Sequence, residues 1–173
     1  IRSSHAVGND FVVTPYRAIQ SKDAMAALNK EGIKWTYPWS QPKLDFASGL
    51  KLSPYNTRDK GKRVGCFMSH YNLWKMAADS TDPILVLEHD ALFTKQLEYD
   101  TILDNNYGVI GINDPRGATR KSAVYHTMIG ESRWPVQPVP RIDDVMIPQG
   151  LAGNSAYIIK PWAAKMLLDK TLE

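Results

Sequence analysis

The sequence predicts an α/β domain with parallel strand pairing, on three observations. A strand, a helix and a second strand follow one another within residues 10–37, which places a crossover helix between two strands. An unbroken apolar run at residues 84–87, I-L-V-L, has the pattern of a central strand covered on both faces. That run passes directly into Glu88, His89 and Asp90, and open α/β sheets bind ligands outside the carboxyl ends of their strands. The 173 residues suit one domain, enough to bury roughly two thirds of the surface the unfolded chain exposes. The chain starts at Ile1 without a methionine and stops at Glu173 just after a helix-like segment, so the expectation is a single domain over 1–173, open to truncation at its ends.

Composition excludes several classes. With 43% hydrophobic and 23% charged residues the chain is globular in type, and no stretch approaches the roughly 20 apolar residues of a membrane span. The net charge of +3 is too small a surplus to indicate a nucleic-acid or lipid partner. Cys66 is the single cysteine, which rules out an internal disulfide and a cysteine-based zinc cage and makes a reducing compartment the default.

Residues 10–14 (D-F-V-V-T) form a short apolar run ended by Pro15, as a strand followed by a turn would, and Arg17 lies just past it. Residues 21–30 (S-K-D-A-M-A-A-L-N-K) are rich in helix formers, with Ser21 as N-cap and Gly32 as stop. Residues 33–37 read as a second short strand. Residues 38–54 carry Pro, Gly and Ser without a sustained period and predict a loop with room for a short hairpin. Four of the six residues at 58–63 are basic. A solvated stretch ahead of a helix explains them on its own, and contact with a phosphate-bearing substrate explains them if a site follows.

Residues 64–78 have a helical period. At about 100° per residue, Val64, Phe67, Met68, Tyr71, Trp74 and Ala78 fall on one apolar stripe. Cys66, Ser69, His70 and Leu73 gather on another side, in place of the Lys and Glu that face water. Two buried or half-buried faces are predicted; packing between two layers and a ligand lying against Ser69 and His70 explain the second equally. Asp82 and Pro83 then break the chain ahead of the 84–87 strand. Beyond it Glu88 and Asp90, at spacing two, can converge on one divalent cation where the strand gives way to a turn. Their oxygens suit Mg2+ and Mn2+, and His89 favours Mn2+.

Residues 107–112 (Y-G-V-I-G-I) read as a third strand ending in Asn113 and Asp114, with Gly108 and Gly111 permitting close approach. Residues 115–150, with five prolines, predict a long irregular connection. It carries Tyr125, His126, Trp134, Asp143 and Asp144, a mixture that suits a sugar-binding surface or the anchoring of a loop. Residues 155–159 read as a strand, and Pro161 opens an amphipathic helix through Leu168.

Three of these segments, in order, resemble glycosyltransferase family 25, which includes lipooligosaccharide galactosyltransferases and the collagen galactosyltransferase group. They are residues 65–75 (G-C-F-M-S-H-Y-N-L-W-K), 84–93 (I-L-V-L-E-H-D-A-L-F) and 153–168 (G-N-S-A-Y-I-I-K-P-W-A-A-K-M-L-L), with a weaker match at 14–22 around Arg17. His89 and Arg63 stand where the family carries acidic residues. The resemblance implies a GT-A-like nucleotide-sugar-binding fold with a mainly parallel central sheet flanked by helices. It further implies inverting transfer of a hexose such as galactose from a UDP-sugar to a glycan or glycoconjugate hydroxyl, with Mn2+ or Mg2+. On this resemblance Asp90 is the metal-binding aspartate of the triplet Glu88, His89 and Asp90, and Glu88 also lies near the ribose or donor sugar. Ser69 and His70 line the donor side, and Arg17 lies near the nucleotide. The resemblance also implies action at the cytoplasmic face of a membrane, as a cytoplasmic protein at its periphery, or within secretory organelles.

The chemistry supports those residue types independently. Departure of UDP builds negative charge that a divalent cation neutralises, and Lys60, Lys62 or Arg63 can assist as fixed cations. An inverting displacement also needs a base within hydrogen-bond reach of the acceptor hydroxyl. Asp114, Asp143, Asp144 and His126 are the candidates, and the sequence does not choose among them. Two other classes stay open: a non-catalytic module binding a nucleotide-sugar or glycan, and a metal-dependent phosphohydrolase built on Glu88 and Asp90.

Overall fold

The computed structural model of the chain describes residues 2–46, 51–54, 57–114, 116, 122–139 and 153–172. In chain order they form α1 (Arg2–Ala6), a 3-10 turn (Ser21–Asp23) running into α2 (Ala24–Lys30), β1 (Lys43–Leu44), β2 (Lys51–Leu52) and α3 (Lys60–Ala78). Then follow β3 (Ile84–Leu87), α4 (Tyr99–Leu103), β4 (Val109–Gly111), α5 (Ser122–Glu131), β5 (Ala156–Ile159) and α6 (Pro161–Leu172). Among these helices none is long and apolar enough to cross a membrane.

The expected mainly parallel sheet is overturned, and with it the GT-A-like fold. Among the described residues the strands make two small antiparallel sheets, β1–β2 and the three-stranded β3–β5–β4. β5, the last strand, sits between the other two and runs against both, pairing Val86 with Tyr157 on one side and Ile110 with Ile158 on the other. The strands that were to flank a crossover helix do not form. Residues 10–14 join no ladder and leave Val12 97% exposed. Residues 33–37 also run outside any sheet, because Ile33 is used to finish α2.

That ending is a Schellman motif. Gly32 takes a φ of 70°, the Gly32 N–H reaches Asn29 O at 3.0 Å, and the Ile33 N–H reaches Leu28 O at 3.2 Å. The accompanying apolar contact is made by Leu28 and Ile33, both in one buried cluster with Ala24, Val64, Met68 and Tyr71. The hairpin allowed for in the 38–54 loop is the β1–β2 pair.

α3 begins earlier than its apolar period, at Lys60. Asp59 caps it, accepting from the Lys62 N–H at 3.3 Å, and the Ser21 hydroxyl donates to the same carboxylate at 2.6 Å. Gly61, Gly65 and Ser69 then make a stripe of small residues one turn apart, against which residues 19–21 lie. A Cβ on Gly65 would come within 2.7 Å of Ile19 O, and the Ser69 hydroxyl accepts from the Ile19 N–H at 2.9 Å. Of the two predicted faces of α3, the apolar stripe is buried or half-buried, while on the other Ser69 and His70 are buried, Leu73 is half-buried and Cys66 is exposed. One joins the cluster with α2; the other meets Val86, Tyr157 and Ile159 of the sheet and Ala163 and Ala164 of α6.

β4 and α6 approach closely over Gly108, where a Cβ would meet the Ala163 Cβ at 2.4 Å. The segment expected to be irregular contains α5, whose described side chains are all exposed. Residues 140–152, with Asp143 and Asp144, lie outside the described residues.

Candidate active site

Strand alternation places Ile84, Val86 and Glu88 on one face. Val86 packs against Ala77 and Ala78 of α3, so Glu88 is aimed at the same helix. Its N–H donates to Ser155 O at 2.8 Å, one step beyond the end of β3, and the Ala91 N–H donates to Glu88 O at 3.1 Å, closing a turn over His89 and Asp90. From the helix side, Cys66, His70 and Trp74 recur at intervals of four and share a face. Tyr157, the cross-strand neighbour of Val86, completes the group from β5.

These side chains are joined by hydrogen bonds. His70 Nε2 lies 3.2 Å from Glu88 Oε1, and His70 Nδ1 lies 2.8 Å from the Tyr157 hydroxyl. The Trp74 indole N–H donates to that hydroxyl at 3.0 Å, and the Asn154 carboxamide lies 3.1 Å from His70 Nε2. His70 is buried and the Glu88 side chain is 29% exposed, so the chain of contacts runs from the core to a solvent-accessible carboxylate. Burial pushes the Tyr157 hydroxyl up to about 12, against the opposing effect of the Trp74 N–H, and keeps it a phenol at neutral pH. Burial, with the charge of Glu88, also raises the Cys66 thiol above its ordinary value, so it is no activated nucleophile.

A cavity of about 940 Å3 opens beside this group, with Trp35, Tyr37, Arg63, Cys66, His70 and Asn154 among its walls. Its rim is aromatic and cationic. Trp35 and Trp39 stack at 5.1 Å, and the Arg63 guanidinium lies 4.1 Å from the centre of the Tyr37 ring. Such walls suit a planar base or a sugar face together with a negative charge.

The structure brings together His70, Glu88 and Arg63 of the residues picked out in the sequence. Ser69 is buried beneath them and holds Ile19, and its hydroxyl donates to Gly65 O at 2.7 Å. Arg17 is exposed on the extended segment ahead of α2 and is not among the cavity's walls. Asp114 is exposed and gripped by Arg116, whose Nε donates to it at 2.8 Å; that contact holds its carboxyl down at about 2. His126 is exposed on α5. Sequence reasoning passed over Trp35, Tyr37, Tyr157 and Asn154. For Tyr157 there was a signal, a single polar tip within the apolar run 156–159.

The acidic triplet does not converge. Among the described residues one set of three brings ligand atoms together, Cys66, His70 and Glu88, within 4.8 Å of one another. Glu88 is turned to α3 while His89 and Asp90 are exposed in the turn. The exposed Asp90 carboxylate still fits Mn2+ or Mg2+, hard cations held through one or two carboxylates with phosphate oxygens and water filling the shell.

Comparison with known proteins gives one match. The family described as glycosyltransferase family 25 (LPS biosynthesis protein) matches residues 21–110, just over half of the 173. No curated protein and no solved structure matches the chain.

Proposed function

The chain belongs to glycosyltransferase family 25, and from that premise we propose that it moves a hexose, galactose first among them, from a UDP-sugar to a glycan or glycoconjugate hydroxyl with inversion. As a glycosyltransferase it takes a sugar donor and a glycan acceptor, in lipopolysaccharide biosynthesis. The observation that carries the finer reading is a cavity walled by His70, Asn154, Arg63 and aromatic rings, with Glu88 hydrogen-bonded to the His70 of that wall.

Three of the walls, with Glu88 and Asp90 outside them, have tasks in that reaction. Trp35 and Tyr37 offer flat apolar faces to a uracil ring, and Arg63 offers a fixed positive charge to the diphosphate as it leaves. Glu88, braced by His70, accepts hydrogen bonds from hydroxyls of the ribose or donor sugar. Asp90, with the diphosphate, would hold Mn2+ or Mg2+, which when bound supplies Lewis-acid stabilisation of the departing UDP. The base is drawn from Asp143, Asp144 and His126. Asp114 is set aside, because a carboxylate already satisfied by Arg116 and held at about 2 has little pull on a hydroxyl proton near pH 7.

The deciding experiment is UDP release from UDP-hexoses with and without Mn2+, in the wild type and in Asp90→Ala. We expect release to depend on the cation and to fall at least about 100-fold in the variant, as loss of a major electrostatic element of a transition state does. Equal activity in Asp90→Ala would remove the metal role. Tight UDP binding without turnover would instead mark a binding module.

A further inference from the structure

We infer that Trp74, Tyr157 and His70 form a one-way hydrogen-bond chain that ends on Glu88, fixes His70 as the Nε2–H tautomer and makes Tyr157 and Trp74 positioning residues for the Glu88 carboxylate. The effect on activity rests on the transferase reading above; the tautomer does not.

Donor and acceptor capacities set the direction. An indole N–H only donates, so the 3.0 Å contact from Trp74 makes the Tyr157 oxygen an acceptor. Tyr157 is 5% exposed, and its one hydroxyl hydrogen has His70 Nδ1 at 2.8 Å to receive it. A ring that accepts at Nδ1 carries its proton on Nε2, and Glu88 Oε1 is there at 3.2 Å. The opposite tautomer fails twice. Nδ1–H would point at the Tyr157 oxygen and take away the acceptor for a buried hydroxyl hydrogen, and the bare Nε2 lone pair would face a carboxylate oxygen. Asn154 Nδ2 is placed 3.1 Å from Nε2, and this tautomer requires the half-turn that exchanges the two ends of the amide, so that the Asn154 oxygen shares the one Nε2 hydrogen with Glu88 Oε1.

The arrangement has the logic of a ligating group oriented from behind by a second partner. Trp74 and Tyr157 also border the cavity, but their hydrogen bonds reach Glu88 only through His70. What they deliver is a fixed direction for Glu88: one oxygen held by Nε2–H, the other keeping its full capacity for a donor hydroxyl.

The test is nitrogen NMR on protein carrying 15N-histidine, with His70 assigned among the four histidines by its loss in His70→Gln. The wild type is expected to show a protonated Nε2 and a bare Nδ1 for His70. In Tyr157→Phe that fixed pattern is expected to give way to averaged shifts, and the donor KM to rise about tenfold with kcat within about twofold. An Nδ1–H His70 in the wild type overturns the chain, and an unaltered tautomer in Tyr157→Phe overturns the part assigned to Tyr157. Trp74→Phe, which removes the first donor alone, serves if Tyr157→Phe does not fold; the wild-type measurement stands in either case. If no UDP-hexose is turned over by the wild type, the transferase reading falls while the nitrogen shifts still decide the chain. Turnover with an unchanged donor KM in Tyr157→Phe ends the positioning role and leaves the transferase reading intact.

Discussion

Asp59 does two jobs with one carboxylate, capping α3 and receiving the Ser21 hydroxyl. The Ser21 hydrogen bond is the chief reason its carboxyl lies below 3.8. A group whose folded value is depressed stabilises the fold above its unfolded value and loses that contribution as pH falls through the folded one. Asp59→Ala should therefore lower Tm at pH 7, and the gap between variant and wild type should narrow below about pH 3.8, as parallel thermal melts would reveal. Asp114 has a different residue-scale signature. Its depressed carboxyl belongs to an exposed ion pair with Arg116, and nothing there meets the cavity. Asp114→Asn is expected to leave the rate and pH profile of sugar transfer within about twofold, since a base loses its action with its carboxylate and a surface pair does not.

At the scale of elements, α3 is the piece whose role the sequence displayed best. Its two packed faces followed from the stripe at Val64, Met68 and Tyr71 and from the absence of charge around Ser69 and His70, and Gly32 marked the end of α2. Residues 10–14 misled because an apolar run says nothing of whether a partner strand exists, and here Val12 and Val13 find none. Residues 33–37 misled for another reason: Ile33 closes a helix and Trp35 stacks on Trp39, uses of apolar residues that periodicity cannot distinguish from a strand. The small-residue stripe gives a test with a sign. Helix propensity alone favours Ala over Gly by about 1 kcal/mol in a helix interior. Gly65→Ala should nonetheless destabilise, because its Cβ would press on Ile19 O, the carbonyl of a residue whose N–H is held by Ser69. Urea unfolding of Gly65→Ala would settle the sign. Gly32→Ala, at a φ of 70°, should cost about 1 kcal/mol in the same assay.

For the whole molecule, the two buried clusters are not independent. Trp74 and Leu168 pack against both. Trp74→Ala is accordingly expected to cost about 3 kcal/mol and to leave a single unfolding transition, which near- and far-ultraviolet circular dichroism would show by coinciding. The same topology explains which parts of the site could be read in advance. Glu88 and His70 announced themselves, one at the end of an apolar strand and the other on a helix face lacking charge. Tyr157 and Asn154 meet them only because β5 is inserted beside β3, and a parallel order of strands gave no reason to expect that contact. The late insertion of β5 has a consequence for biosynthesis. As the chain leaves the ribosome, β3 and β4 emerge with no strand between them, and their open edges wait until residues 156–159 follow. A nascent chain halted before that point would lack Tyr157 and the middle of its sheet together, so a stalled or clipped product is a substrate for chaperones and proteases before it is an enzyme.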